Sequence, residues 1–180
     1  MKKTILFLSF VAITTGAMAQ KSTTTSAVIS FDATTPLDAL PKAENKTVIG
    51  SLDKSTGVLV FEAAVNNFAF SNPKMHEHFN GANWMNSGTF PKFTFSGKIY
   101  KVNKVKFTKN GSYKVTVTGN LTIKGISKPV STTGTITVKD GAVSTISSFS
   151  VKLADYNISG QAVEAGKVSK EPKITVSASF

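Results

Sequence analysis

A strict alternation of side chains over residues 112–124 most constrains what this chain can fold into. From Tyr113 to Ile123 the odd positions carry apolar residues or glycine, and the even positions carry Lys, Thr or Asn. An amphipathic helix cannot have this pattern, because apolar residues on one helix face recur every three to four positions. The segment is therefore predicted to be a β-strand with one buried face.

Segments of the same period extend this prediction to eight or nine strands along the chain. The dipeptides Asn110-Gly111 and Asp140-Gly141 suit the positive backbone angles of tight turns, so each predicts a hairpin between the strands that flank it. Strands joined mostly by short turns predict an all-β fold, an antiparallel barrel or sandwich. The predicted strands are 28–32, 47–53, 58–65, 92–100, 104–108, 112–124, 130–139, 143–153 and 174–180.

One segment interrupts the strand pattern. Asn72 offers a helix cap and Pro73 suits the first helical position, so a short helix is predicted over 74–79, ended by Asn80-Gly81. Aromatic and other large apolar residues crowd the stretch that follows. A helix with such a cluster between two strands is predicted to cover one end of a barrel. The cluster consists of Trp84, Met85, Phe90, Phe93 and Phe95.

The N-terminus predicts export. Two lysines precede the apolar run 5–13, and a small-x-small motif ends at Ala19. The run is much shorter than the roughly 18 apolar residues of a membrane helix, so it indicates a cleaved secretory signal and a soluble periplasmic or secreted product. No later segment predicts a transmembrane span. The predicted organisation is a signal peptide at 1–19, a flexible Ser/Thr lead at 20–26 and one barrel domain at 27–180.

Composition excludes several functions. All 21 basic side chains are lysines, against 10 acidic ones, and cysteine is absent. Without Cys there is no disulfide, thiolate metal site, cysteine nucleophile or lipid anchor on cysteine. Lysines scattered along the sequence without arginine indicate a solvated outer surface rather than nucleic-acid binding. Attraction to anionic lipids is the alternative interpretation.

The candidate interior is ambiguous at the level of sequence. A barrel of about eight strands either fills its interior with side chains or holds one small ligand. Small residues share the apolar faces of the predicted strands, so both a ligand cavity and a self-filled barrel are compatible with the pattern. These small residues are Gly97, Gly119, Thr132, Gly134, Thr145, Ser147 and Ala178.

Catalytic chemistry finds little support. His76-Glu77-His78 is the one metal-like cluster, and the two histidines would diverge on a helix. No nucleophile motif is present, so neither catalytic residues nor a metal site are predicted. His76 is expected to be exposed, and His78 to anchor the helix through a hydrogen bond. A metal-dependent enzyme that uses His76 or His78 is the less favoured alternative.

Three stretches together resemble the YceI-like family of polyisoprenoid-binding proteins. They are NPKMHEHFNGANWMNSGTFPKFTFSG (72–97), GNLTIKGISKPV (119–130) and FSVKLADYNI (149–158). The similarity runs from about Val48 to the C-terminus. His78 and Phe79 match a family His-Leu pair, and the aromatic stretch follows them. The second motif is matched by Leu121, Ile123, Lys128 and Pro129.

The resemblance implies an eight-stranded antiparallel lipocalin-like barrel with one short helix and an apolar channel. It also implies an exported lipid carrier without catalytic machinery, with a long-chain lipid or isoprenoid as its one bound group. A homodimer, a filled-barrel envelope stress or interaction module, and phosphate contacts from Lys74, Lys92 or Lys128 are further possibilities. The predicted ligand-binding residues are Phe68, Phe70, Phe79, Trp84, Phe90, Phe93, Phe95, Val117, Leu121 and Ile123.

Overall fold

The computed structural model describes residues 21–180, so the predicted signal peptide lies outside the described residues. Within this range the chain forms nine strands and two short α-helices. The strands are β1 (Lys21–Asp32), β2 (Lys42–Asp53), β3 (Val58–Ala64), β4 (Ala69–Phe70), β5 (Lys92–Ile99), β6 (Gly111–Ile123), β7 (Ile126–Lys139), β8 (Ala142–Ser150) and β9 (Lys173–Ser179). The helices are α1 (Pro73–Asn80) and α2 (Gln161–Glu164), with 3₁₀ turns at Val65–Asn67, Val102–Lys104 and Leu153–Tyr156.

Eight of the strands close into an antiparallel barrel, as the family resemblance implies. Their order is β1-β9-β8-β7-β6-β5-β3-β2, and β2 pairs back with β1 to complete the ring. The two-residue β4 adds to the start of β2 outside this ring. The all-β prediction is confirmed, and the alternating strands owe their one buried face to closure around a common interior.

One of the two predicted hairpin turns is confirmed. Asp140 and Gly141 join β7 to β8 with φ values of 50° and 83°. The other predicted turn, Asn110-Gly111, is wrong, because the predicted strand 104–108 does not form: Lys104 ends the 3₁₀ turn Val102–Lys104, and a loop follows it. The hairpin partner of β6 is β7, joined through Lys124 and Gly125 at φ values of 49° and 73°.

The segment between β5 and β6 covers one end of the barrel. Val105 is buried there, and Phe107 packs beside it, so the alternation that predicted a strand reflects a loop with an apolar inner face. Asn110 ties this loop to the β7–β8 turn: its Nδ2 donates to Asp140 Oδ1 at 3.0 Å and its Oδ1 accepts from the Asp140 amide at 2.8 Å. We call this closed end the base and the opposite end, beside α1 and α2, the rim.

The predicted flexible lead is also wrong, since β1 begins at Lys21. Lys21 pairs with Asp53, and Thr24 pairs with Gly50. Thr24 is buried, with 7 % of its surface exposed. Ser and Thr are compatible with strands, and the closed barrel provides β1 with a neighbour over this whole length, which an isolated Ser/Thr tract lacks.

The predicted helix is confirmed as α1. The Asn72 side chain accepts from the Lys74 amide at 2.9 Å, and Pro73 occupies the first turn. Gly81 follows as the C-terminal cap. Phe79 is its one buried residue and fixes the helix against the rim. No helix among the described residues is long and apolar enough to cross a membrane.

Replacing Gly119 with alanine is expected to destabilise the barrel by about 1–3 kcal/mol through overpacking. Gly119 pairs with Gly97, and an added Cβ would meet the Ser96 carbonyl oxygen and, at 2.5 Å, the Gly97 Cα. Backbone atoms held in a ladder cannot move aside. Denaturant unfolding would measure the loss, with Gly88→Ala as the matched control, since a Cβ there has no heavy atom within 4 Å. Equal stabilities of the two variants would contradict this account.

Candidate ligand-binding site

An apolar cavity of about 150 Å³ lies inside the barrel. Seven of the eight barrel strands contribute inward side chains to its wall, all except β2. Every lining residue is uncharged, and the polar ones are limited to threonine and serine. Such a wall offers no partner to an ion, so the cavity suits a neutral apolar group.

Small residues on β7 and β8 border this space. Thr132, Gly134, Thr145 and Ser147 all line the cavity as inward positions of these two strands, although a Cβ added at Gly134 would lie 2.9 Å from the Ile146 carbonyl oxygen. Native interiors are otherwise close-packed, so missing side-chain volume becomes free volume where no neighbour fills it.

The small residues on β5 and β6 have a different role. An added Cβ at Gly97 would lie 2.5 Å from the Phe95 ring, and one at Gly119 would lie 2.7 Å from it. The Phe95 ring therefore lies over both glycines. Self-filling therefore applies directly above Gly97 and Gly119, while Phe95 itself and other side chains of β5 and β6 still line the cavity.

The strand ladder between β7 and β8 is incomplete. We call the gap between residues 126–133 of β7 and residues 148–150 of β8 the fork. Their ladder runs from the base only as far as Gly134 and Ser147. At that point the Thr132 and Ser147 hydroxyls lie 3.0 Å apart, and Ser147 Oγ donates to the Thr133 carbonyl at 2.9 Å. Towards the rim, residues 126–133 pair with β6 alone.

Cavity-lining residues stand on both arms of this fork. Val130 lies on the β7 arm and Phe149 on the β8 arm. Pro129 also lies on the β7 arm and has no amide hydrogen, which disfavours the addition of another strand to this edge. The fork is thus a gap in the strand ladder beside the cavity. The 3₁₀ turn Leu153–Tyr156, which follows β8, contacts β7, and its Leu153 lines the cavity together with Val151 and Ile158.

Seven of the ten predicted ligand-binding residues line the cavity, and three do not. Phe70 packs on Phe79 from outside the cavity, with ring centroids 5.0 Å apart. The Trp84 ring lies against Gly160, and the Phe90 ring lies against Gly125. The dense aromatic stretch therefore divides between the cavity wall and the rim. The lining residues are Phe68, Phe79, Phe93, Phe95, Val117, Leu121 and Ile123.

Sequence reasoning missed several other lining residues. They are large apolar side chains at inward positions of β1, β3, β8 and β9, all within predicted strands. Period-two alternation marks these positions as inward-facing, and it is the signal that could have identified them as lining residues. They include Phe31, Phe61, Phe149, Ile174 and Val176.

The expected roles of the two histidines are reversed. His76 is half-buried, its Nε2 lies 3.0 Å from the Asn66 carbonyl oxygen, and its ring meets the edge of Phe70. His78 is exposed. A helix of this pitch turns only one of two residues spaced by two towards the barrel, and here it is His76. Among residues 21–180, no three His, Asp or Glu side chains are grouped to hold a metal ion.

Ionisable groups surround the rim without entering the cavity. Lys92 forms an ion pair with Glu62 at 2.8 Å, whereas Lys74 and Lys128 are exposed. Tyr156 packs in the apolar core near the rim, and burial, with a smaller contribution from the Asp155 charge, raises the pKa of its phenol. Tyr156 therefore remains neutral at physiological pH, in keeping with the uncharged interior beside it.

Several solved protein structures share this fold. The chain resembles the solved structure of Burkholderia cenocepacia BcnA, with 19 % identity, a TM-score of 0.70, and coverage of 86 % of this chain and 96 % of that one. A polyisoprenoid binding domain from Saccharophagus degradans, implicated in plant cell wall breakdown, matches at 11 % identity and a TM-score of 0.71, covering 85 % and 92 %. The YCEI protein of Campylobacter jejuni matches at 17 % identity and a TM-score of 0.54, covering 100 % and 91 %. At identities this low, the structural similarity establishes a shared fold alone.

The family assignment rests on a separate match. No curated protein matches the chain. The family model described as the YceI-like domain, however, matches residues 9–180. This range includes the first strands, which the resemblance seen in the sequence did not reach. Because the match spans nearly the whole chain, the protein belongs to the YceI-like domain family.

Proposed function

We propose that this protein is a non-catalytic carrier that binds a long-chain amphiphile, a polyisoprenoid, inside its barrel. The observation that carries this proposal is the uncharged cavity inside the barrel. Removing each CH₂ group of a lipid tail from water is favourable by about 0.8 kcal/mol, so even partial enclosure gives useful affinity. The cavity also favours a carrier over an interaction module with a filled barrel.

The cavity volume limits how such a tail would be held. A cavity of about 150 Å³ is of the size that accepts one benzene molecule in an engineered apolar core. That volume suits one five-carbon isoprene unit. A longer tail therefore extends out through the fork between β7 and β8, or displaces side chains such as Phe93 and Phe149. A head group would remain at the rim, within reach of Lys74 and Lys128.

The relatives and the N-terminus support the remaining parts of the proposal. One structural relative is described as a polyisoprenoid binding domain, which supports the same ligand class here. The predicted signal at 1–19 supports export, so the proposed location is periplasmic or secreted. The arrangement of His76 and His78 favours binding over metal-dependent catalysis. No cofactor other than the lipid is proposed, and a homodimer and the absence of nucleic-acid binding stay predictions.

Two measurements test the carrier. Native mass spectrometry of the purified protein, with analysis of extracted lipid, is expected to reveal a co-purified prenyl chain. Trp84 is the single tryptophan, so its fluorescence reports binding of a prenylated quinone at the rim. The same quinone ring without its tail is the matched control and is expected not to bind. A protein that carries no lipid and binds neither quinone would contradict the proposal.

A further inference from the structure

The fold brings lysines from four parts of the sequence together at the base. Nine of the 19 described lysines lie there, against two acidic residues, a net side-chain charge of +7. The rest of the described chain holds ten lysines and eight acidic residues, a net charge of +2. We call the nine lysines the basal surface. They are the six within residues 98–114, together with Lys21, Lys54 and Lys139.

The loop that closes the base holds these charges outward. The segment 98–114 contains no acidic residue, and all six of its lysines are exposed. Val105 is buried, and Val102 packs against Gly57 of the β2–β3 turn. Because the apolar residues of the loop point inward, the lysines between them, such as Lys104 and Lys106, must face solvent.

Hydrogen bonds fix the same loop in place. The Tyr113 hydroxyl lies 3.3 Å from the Lys106 carbonyl and 3.2 Å from the Lys109 carbonyl, and can donate to either. Asn110 is bonded to Asp140 on the neighbouring turn. The backbone of this loop is therefore held in place, so the lysines on it project from an ordered loop rather than from a flexible tail.

Acidic residues of the protein neutralise little of the charge of the basal lysines. The two acidic residues at the base are engaged in turns: the Asp53 carboxylate accepts from Ser55 and Thr56, and Asp140 accepts from Asn110. The two ion pairs formed among residues 21–180 involve Lys46 and Lys92, neither of which belongs to the basal surface. The charge of the basal surface is thus available to an external anion.

We propose that the basal surface binds the anionic face of a lipid bilayer. Clustered lysines near such a surface add their attractions within a Debye length. Tyr100, 61 % exposed beside Lys101, adds an amphipathic ring of the kind that favours the water–lipid interface. Arginine, whose planar guanidinium group suits bases and nucleic-acid phosphates, is absent from the chain. In this orientation the rim and the fork face away from the bilayer.

Vesicle binding is compared between the wild-type protein and a variant that lacks four of the basal lysines. In the basal variant Lys104, Lys106, Lys109 and Lys114 are each replaced by glutamine. The wild-type protein is expected to co-sediment with phosphatidylcholine vesicles that contain phosphatidylglycerol and not with phosphatidylcholine alone. The basal variant is expected to bind at least about tenfold more weakly. High salt is expected to abolish binding, since about 1 M salt shortens the screening length to roughly 3 Å.

A second variant tests whether vesicle binding depends on the position of the lysines or only on the net charge of the protein. Lys152, Lys167, Lys170 and Lys173 are exposed and lie near the rim, so their replacement by glutamine removes the same charge elsewhere. This rim variant is expected to bind vesicles like the wild type, and unchanged thermal unfolding of both variants would verify their fold. Equal losses in the two variants, or no vesicle binding by the wild type, would overturn the proposal.

A competing polyanion is the last outcome to distinguish. Tighter binding to a DNA duplex than to the anionic vesicles at the same salt concentration would assign the basal surface to nucleic acid and overturn the proposal. The vesicles contain no prenyl lipid, and the fluorescence test of the carrier contains no vesicles. The failure of one proposal is therefore distinguishable from the failure of the other.

Discussion

Replacing Leu121 with aspartate is expected to weaken the binding of a prenyl chain at least about 100-fold, which corresponds to about 2.7 kcal/mol. Leu121 lines the cavity and is half-buried on β6, between Phe95 of β5 and Lys128 of β7. In the variant, the carboxylate of the introduced aspartate can keep part of its hydration while the cavity is empty. A bound tail would strip that water away without offering a hydrogen bond, and this cost opposes binding.

A second acidic variant provides the control for this result. Ile49 on β2 is 52 % exposed and does not line the cavity, so Ile49→Asp adds the same charge to the outer wall. Its prenyl-chain affinity is expected to match that of the wild type. Titration of Trp84 fluorescence with a prenylated quinone measures all three proteins. Unchanged affinity in Leu121→Asp would show that the tail binds somewhere other than this cavity.

The neutral substitution Leu121→Asn keeps the experiment informative if the aspartate variant does not fold. An amide also loses hydrogen bonds to water when a tail covers it, so a smaller loss of affinity in the same direction is expected. Thermal unfolding of each variant separates loss of the ligand from loss of the fold. An asparagine variant that is folded and binds with wild-type affinity would equally contradict the cavity as the site.

The strands were predictable because period two is a local property. The alternation in β6 and the Asp-Gly turn before β8 required no knowledge of the rest of the chain. The Asn-Gly dipeptide at 110–111 predicted a hairpin on the same local grounds and was wrong. There the Asn110 side chain bonds to Asp140, 30 residues away in sequence, and the apolar residues before it pack under the base. Tertiary contacts of this kind leave no short-range signal.

Which side chains fill the barrel interior depends on how neighbouring strands pair, and the local alternation of residues does not reveal this register. Gly97 and Gly119 are 22 positions apart, and only their pairing in adjacent strands lets one Phe95 ring cover both. The pairing of Gly134 with Ser147 likewise places two small residues side by side next to the cavity. A list of small inward residues therefore could not distinguish filled from open wall. The basal surface was only partly visible in the sequence. Six of its lysines lie within residues 98–114 with no acidic residue among them, whereas Lys21, Lys54 and Lys139 join them only in the closed barrel.

Replacing Phe79 with alanine is expected to cause the largest loss of stability, about 3–5 kcal/mol. The Phe79 ring is 6 % exposed, and its centroid lies 5.8 Å from that of Phe68 and 6.1 Å from that of Phe31. Deleting it removes the buried anchor of α1 and leaves a void, because the backbone strands around it cannot collapse. The melting temperature is expected to fall by about 6–20 °C.

A control on the same helix and a double-mutant cycle assign this loss to the Phe79 contacts. Met75 lies one turn earlier and is half-buried, so Met75→Ala is expected to cost less than half as much. Phe68→Ala, alone and combined with Phe79→Ala, is expected to give a coupling energy of about 0.5–1.5 kcal/mol for the aromatic pair. If Phe79→Ala costs no more than Met75→Ala, α1 is not held by its aromatic contact. The rim would then be kept in place by its loops, and hydrogen exchange of the α1 amides would be as slow in the variant as in the wild type.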